Sequence, residues 1–506
     1  VTDLARSLVP AALIAVLAAP LPAWAGKKND TLIFADTEEV AAFDAYFNND
    51  RIGVITARLT WDYLVYRDPA SGEIKPMLAK SFQWINDTTL EFDLREGIKF
   101  HNGEAFDADD VVYTINTVLN PATKIKAVSN VAFMKGAEKL GSHKVRILLK
   151  APFPAALEYL SATVPIYPND YYAAGGNAAM EKQPIGTGPY RVVKVEPGKS
   201  VTWEKNSQYF KDSPAPQPQI GKIVYRTIPD KNTQVAELMT GGVDWLWKVE
   251  KDQADVLKAM PNLQVQGAPT MRIGYLTMDA AGKGGDSPLK DVRVRRAMNH
   301  AINRDTIART LLGDGAVIIP SACYPSQFGC EQDVPRYPYD PAKAKALLAE
   351  AGYPNGFELT FDVYRDPELI QAIAHQFAAV GIKTKLNNAK YATLRDAVRS
   401  GQSKLAFLTW GSYSINDVSA ATGNFFKFTP DDQYQDAQVR DWLIAGDTST
   451  DPAVRKENYT KALRRIADQA YWVPLWAYPY TYAYTKDLDF TPTPDETPRF
   501  AQTRWK

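Results

Sequence analysis

Few side chains in this sequence could carry chemistry, and they are scattered. Of the four histidines, His101 sits in a turn, His143 precedes a strand, and His300 and His375 fall on helices. Neither helical histidine has a His, Cys, Asp or Glu at i+3 or i+4, the spacing that would set two metal ligands on one helix face, and Glu104 three positions after His101 lies in a turn, so each reads as a surface or hydrogen-bonded imidazole. The acid pairs Asp109-Asp110 and Asp431-Asp432 fit a helix first turn and a solvated loop. Gly186-Thr187-Gly188 is followed by Pro189 and a strand, which rejects a dinucleotide-binding turn. Phosphate-loop, serine-hydrolase-elbow and HExxH segments are missing from the sequence. No nucleophile is assembled with a base, so the expectation is a protein that is not an enzyme and holds neither metal nor cofactor.

The two cysteines, Cys323 and Cys330, enclose six residues including Pro325 and Gly329, a loop that a disulfide could close. A pair of free or buried thiols is the competing reading, and export favours the bridge. Export is expected from the apolar run 8–21, closed by Ala23-Trp24-Ala25 in the small-x-small pattern of a signal cleaved before Gly26. Pro10, Pro20 and Pro22 argue against a retained membrane anchor, and no other segment approaches the roughly 20 apolar residues of a spanning helix. A soluble protein outside the cytoplasm follows, and a monomer in the periplasm is the expectation. Its 58 Lys+Arg balance 58 Asp+Glu, and removing the signal takes away one of each. That neutrality argues against nucleic acid, whose partners normally carry a basic excess.

The elements that must position any site alternate between strand and helix. Residues 31–36, 88–94, 144–154 (with a proline stop) and 223–229 read as strands, and Asp107 caps a helix whose Val111, Val112, Ile115, Val118 and Leu119 form one stripe. From Asp291 the texture is more helical, with Asp-Pro-Ala starts at Asp340 and Asp451 and Gly352 placed to end the first of those helices. Strands 357–364 and 405–410 flank an amphipathic helix as a βαβ unit, whose strand ends are the usual ligand positions of an α/β sheet. The fold class is therefore α/β, in more than one lobe for 506 residues.

The run LAKSFQWINDTTLEFDLREGIKFHNGEAFDADDVVYTINTVLNP (78–121) resembles the signature of the family 5 extracytoplasmic solute-binding proteins, the dipeptide, oligopeptide and nickel receptors of ABC importers. Segments 184–192 (PIGTGPYRV), 291–305 (DVRVRRAMNHAINRD), 339–359 (YDPAKAKALLAEAGYPNGFEL) and 471–476 (YWVPLW) are similar to further family segments in the same order. The resemblance implies a type II two-lobed clamp with an extra lobe, closing on a solute by hinge motion. It divides the chain into lobe I (26–65, 189–280 and 480–506), an extra lobe (66–188) and lobe II (281–479). It implies as partners a peptide or other small solute and the permease subunits in the membrane.

The same resemblance implies where the solute is held. Glu39 and Val40 occupy the position that pairs with an extended ligand in oligopeptide receptors, with Tyr46 and Phe47 as pocket walls or lobe-edge packing. Trp410 ends a strand in the cleft. Gly411, Ser412 and Tyr413 follow where the family places the Asp that neutralises a peptide α-amine, and the nearest acid is Asp417. Either Asp417 turns in, or the ligand has no ordinary peptide N-terminus, because a buried ammonium without a counter-charge is costly. Arg365 aligns with a carboxylate-clamping arginine, with a surface ion pair to Asp362 or Asp366 as the competing role. The expected solute is a di- or oligopeptide, and the alternative is a carboxylated non-peptide such as an opine, sugar conjugate or metal chelate. An exported hydrolase and a chemoreceptor partner or chaperone are the rivals of a different class.

Overall fold

A computed structural model describes residues 26–506 except 49 and 127, and leaves the side chains of Ser129 and Tyr413 undescribed. The expected signal, 1–25, lies outside the described residues.

An eleven-stranded sheet runs through the molecule. On one side, the fully buried strand Thr31–Asp36 lies parallel to Lys222–Thr227 and touches Trp245–Leu246, while Ser200–Lys205 and Tyr190–Glu196 extend the edge. On the other, Phe357–Val363 lies between parallel neighbours Ile382–Asn388 and Leu405–Trp410. Two long antiparallel strands, Leu263–Met278 and Trp472–Thr485, join the halves. Their pairing is irregular between Pro269 and Tyr275, with Pro269 opposite Pro479. Proline brings no N–H to a ladder, so the two strands are least tied together where they pass between halves.

The βαβ unit contains a strand that the sequence reading omitted. The helix Pro367–Ala379 is followed by Ile382–Asn388, and the helix Tyr391–Arg399 then leads to Leu405–Trp410. The segment IKTKLNN has only two apolar residues on its covered face and lies at the sheet's edge, where lysines are common and hydrophobic alternation is weak.

The extra lobe is a four-stranded antiparallel sheet ordered Ala79–Asn86, Thr89–Leu94, Lys144–Leu149 and Met134–Gly141. Helix Ala108–Leu119 covers it with Val111, Ile115 and Val118, and starts at a capping box of Asp107 with Asp110. Cys323 and Cys330 are disulfide-bonded, and their loop supports a neighbouring segment. Phe328 N–H donates to the Asn416 carbonyl at 2.9 Å, and Val418 N–H to the Phe328 carbonyl at 3.0 Å.

Candidate functional site in the interlobe cleft

A cavity of about 580 Å³ opens between the two halves. One wall is helix Arg51–Thr60, whose sequence RIGVITARLT divides by helical period. Ile52, Ile55 and Leu59 pack into the core, which turns Arg51, Val54 and Arg58 to the cavity. The extra lobe adds Thr163 and Pro165. The opposite wall comes from strand ends: Tyr364 and Arg365 follow Phe357–Val363, and Thr409 to Ser412 follow from Leu405–Trp410, with Ser414 beyond. These are the carboxyl ends of parallel strands, where backbone groups and loop side chains are free to face a ligand.

The wall carrying Trp410 is fixed. Its ring is 7% exposed, its indole N–H donates to the Ala420 carbonyl at 2.9 Å, and it meets Phe425 edge-on at 5.2 Å. Tyr364 shares a 2.7 Å hydrogen bond with Thr409 and packs on Tyr391. At Gly411 a Cβ would lie 3.0 Å from the Arg272 guanidinium, so glycine leaves that cation its place in the cavity.

The electrostatics are one-sided. Arg51, Arg58, Arg272 and Arg365 line the cavity, and among the described residues no Asp or Glu does. Three of these arginines are paired from outside it. Arg51 and Arg272 both bond the buried Glu496, at 2.9 Å and at 2.9 and 3.1 Å, and Arg365 bonds Asp366 at 2.9 Å. Burial would raise the Glu496 carboxyl, but the two guanidiniums outweigh it and hold the group below its usual range. Arg58 has no carboxylate within ion-pair distance among the described residues, and its buried Nε has no acceptor. Burial first, and then the nearby Arg499, push its pKa down to about 10. A larger chamber of about 1080 Å³ shares Arg51, Arg272 and Arg365 and brings in Glu38, Asp50 and Glu368.

Of the residues expected from sequence, Trp410, Gly411, Ser412 and Arg365 line the cavity. The side chain of Tyr413 lies outside what the structure describes. Asp417 does not reach the cavity. It is 2% exposed, and its carboxylate is taken by Arg455 at 2.7 Å and by the Ser419 hydroxyl and amide. Glu39 and Val40 do not line it either, since Glu39 is exposed and Val40 packs on the core around Phe34; their neighbour Glu38 reaches the larger chamber. Tyr46 and Phe47 pack on the extra lobe, and the Tyr46 hydroxyl donates to the Pro165 carbonyl at 2.6 Å. The physical reason is the buried Asp44, which accepts from Tyr167 and Tyr172 and turns the segment so that Ala45 and Asn48 face the cavity. Sequence reading missed Arg51, Arg58 and Arg272. The first two had a signal: cations seven positions apart on the polar face of an otherwise apolar helix.

A deep cleft between two α/β halves, joined by two crossing strands and lined from both walls, defines a two-lobed solute-binding clamp. The chain belongs to the bacterial extracellular solute-binding proteins, family 5, whose model matches residues 73–432. It is 28% identical over 512 aligned positions to the glutathione-binding protein GsiB of Escherichia coli K12, covering 96% of each chain. HbpA2 from Haemophilus parasuis shares the fold with a TM-score of 0.84 at 22% identity, over 94% of this chain and 100% of that one. DppA from Helicobacter pylori, solved with the peptide STSA, does so with a TM-score of 0.75 at 24% identity, over 95% and 98%.

Proposed function

We propose that this chain is the exported receptor of an ABC importer, capturing a peptide between its lobes by hinge closure and handing it to permease subunits in the membrane. The observation that carries the reading is the interlobe cavity, lined by side chains from both halves at the ends of parallel strands. Support comes from the relatives, one named for glutathione and one solved with a tetrapeptide. The reading keeps lobe I at 26–65, 189–280 and 480–506, the extra lobe at 66–188 and lobe II at 281–479. It places a monomer in the periplasm and gives it no catalytic step, cofactor or nucleic-acid partner. The clamp acts by differential affinity: a solute touching both walls stabilises the closed form, which the permease then recognises.

A second reading, a carboxylated non-peptide such as an opine, sugar conjugate or metal chelate, is favoured by one observation. Asp417 is occupied by Arg455, so among the described residues no carboxylate waits in the inner cavity for a peptide amine. Mass spectrometry of solute co-purified with native protein separates the two. A peptide released unchanged supports the first reading, an amide-free acid the second, and catalytic turnover of the solute excludes both.

A further inference from the structure

Among the described residues, Arg58 is the cation lining the cavity that bonds no carboxylate. Each of the other three lining guanidiniums bonds a carboxylate, Arg51 and Arg272 sharing Glu496 and Arg365 holding Asp366. Behind Arg58 lie Arg67 and Arg499, and both are committed: Arg499 to Asp495, and Arg67 to Asp495 and, at 3.1 Å, to Glu158. This cluster sets three guanidiniums against two carboxylates and leaves one positive charge over, on the member that faces the cavity. Its surroundings there are Val54, Ala57, Ala162 and Pro165, which screen charge poorly, and the Tyr63 ring, whose centroid lies 5.5 Å from the guanidinium carbon in a weak cation–π contact. A half-buried guanidinium without an acceptor is costly, and a carboxylate delivered by the solute relieves that cost in bidentate geometry.

Resting on the receptor reading, we propose that Arg58 anchors a carboxylate of the solute, so that the inner cavity takes an acid end and rejects an ammonium end. The solute class is an acid-bearing peptide lying with its amine away from Arg58, on the side of the larger chamber that holds Glu38 and Asp50. Arg365, shared by both spaces and already paired with Asp366, is a weaker partner for a second acid group.

The test uses the mature chain, with Arg58→Met and Arg58→Lys variants. Calorimetry is run against glutathione, di- to tetrapeptides as free acids and as C-terminal amides, and an opine and a sugar acid. The wild type is expected to prefer free acids, and Arg58→Met to lose at least about 30-fold in affinity for them while binding amides unchanged. Arg58→Lys recovers part of the loss. The unliganded Arg58→Met protein melts no lower than wild type, because an unpaired buried charge has been removed. Equal binding of acids and amides by the wild type overturns the inference and leaves the peptide-receptor reading standing. So does an acid preference that survives in Arg58→Met, whether or not the variant melts lower. Binding of only the opine or sugar acid, lost in Arg58→Met, keeps the Arg58 anchor and rejects the peptide reading. No binding of any probe rejects both.

Discussion

Arg51 and Ser414 are separated by 363 positions in sequence, and the guanidinium of the first donates to the hydroxyl of the second at 2.7 Å. The same hydroxyl donates to the Asp495 carbonyl at 2.6 Å, Arg67 donates to the Ser414 carbonyl at 3.2 Å, and the Asn416 amide donates to Glu158 at 3.2 Å. The loop after Trp410 is thereby bound to the first half of the molecule and to the extra lobe. These contacts bridge the cleft and bias the clamp toward closure.

Replacing Ser414 with Ala removes both side-chain bonds while Arg51 keeps Glu496. A loss of about 1 kcal/mol should cut the closed-to-open ratio about five-fold. Small-angle scattering should then report a larger radius of gyration. An unchanged radius would show that Ser414 does not hold the lobes.

Trp410→Ala should weaken solute binding at least about ten-fold, because the ring walls the cavity. His101→Ala should leave the dissociation constant unchanged, since that imidazole bonds the Gly188 carbonyl at 3.0 Å, away from the cleft. Equal effects in calorimetry would remove Trp410 from the site.

Asp417→Asn should behave as a stability variant. The carboxylate and Arg455 are both buried, so neutralising one partner leaves the other uncompensated at a cost of about 3 kcal/mol. Urea unfolding should show that loss with the solute affinity per folded molecule unaltered. A large affinity loss without a stability loss would restore Asp417 as a ligand group.

Asp62 supplies a pH test. Its buried carboxyl is pushed up to about 7 by desolvation, against hydrogen bonds from Thr187 and Tyr209 that act to lower it. A raised carboxyl pKa means that the folded state binds the proton more tightly than the unfolded one. Folding stability from this group therefore falls as pH rises from about 4 through 7. The stability of wild type relative to Asp62→Asn should increase on acidification from pH 7.5 to 5 and level off below about 4. A flat difference in melting temperature would contradict the burial argument.

The Cys323–Cys330 loop is tied to 416–418, which continues from the cleft loop. Closing a loop of this length stabilises by about 2.5 kcal/mol in the chain-entropy account. Reduction, or Cys323→Ser with Cys330→Ser, should lower the melting temperature by a few degrees and reduce affinity. An unchanged affinity would separate the disulfide loop from the site.

The sequence by itself determined what depends on near neighbours. Asp107, Asp340 and Asp451 each cap a helix by accepting an amide two or three residues on, a bond whose both ends lie in one stretch of chain. The α/β alternation was legible for the same reason, and Trp410 at a strand end in the cleft wall through the family resemblance. The edge strand Ile382–Asn388 was not, because exposure at the sheet edge leaves only Ile382 and Leu386 as apolar residues on its covered face. Only the tertiary structure decided the electrostatics of the cleft. Asp417 is spent on Arg455, Glu496 serves Arg51 and Arg272 together, and Arg58 is left over because its neighbours' acids are already used. Whether a charge is paired depends on what the fold brings within about 4 Å, and those partners here are 38, 445 and 224 positions away.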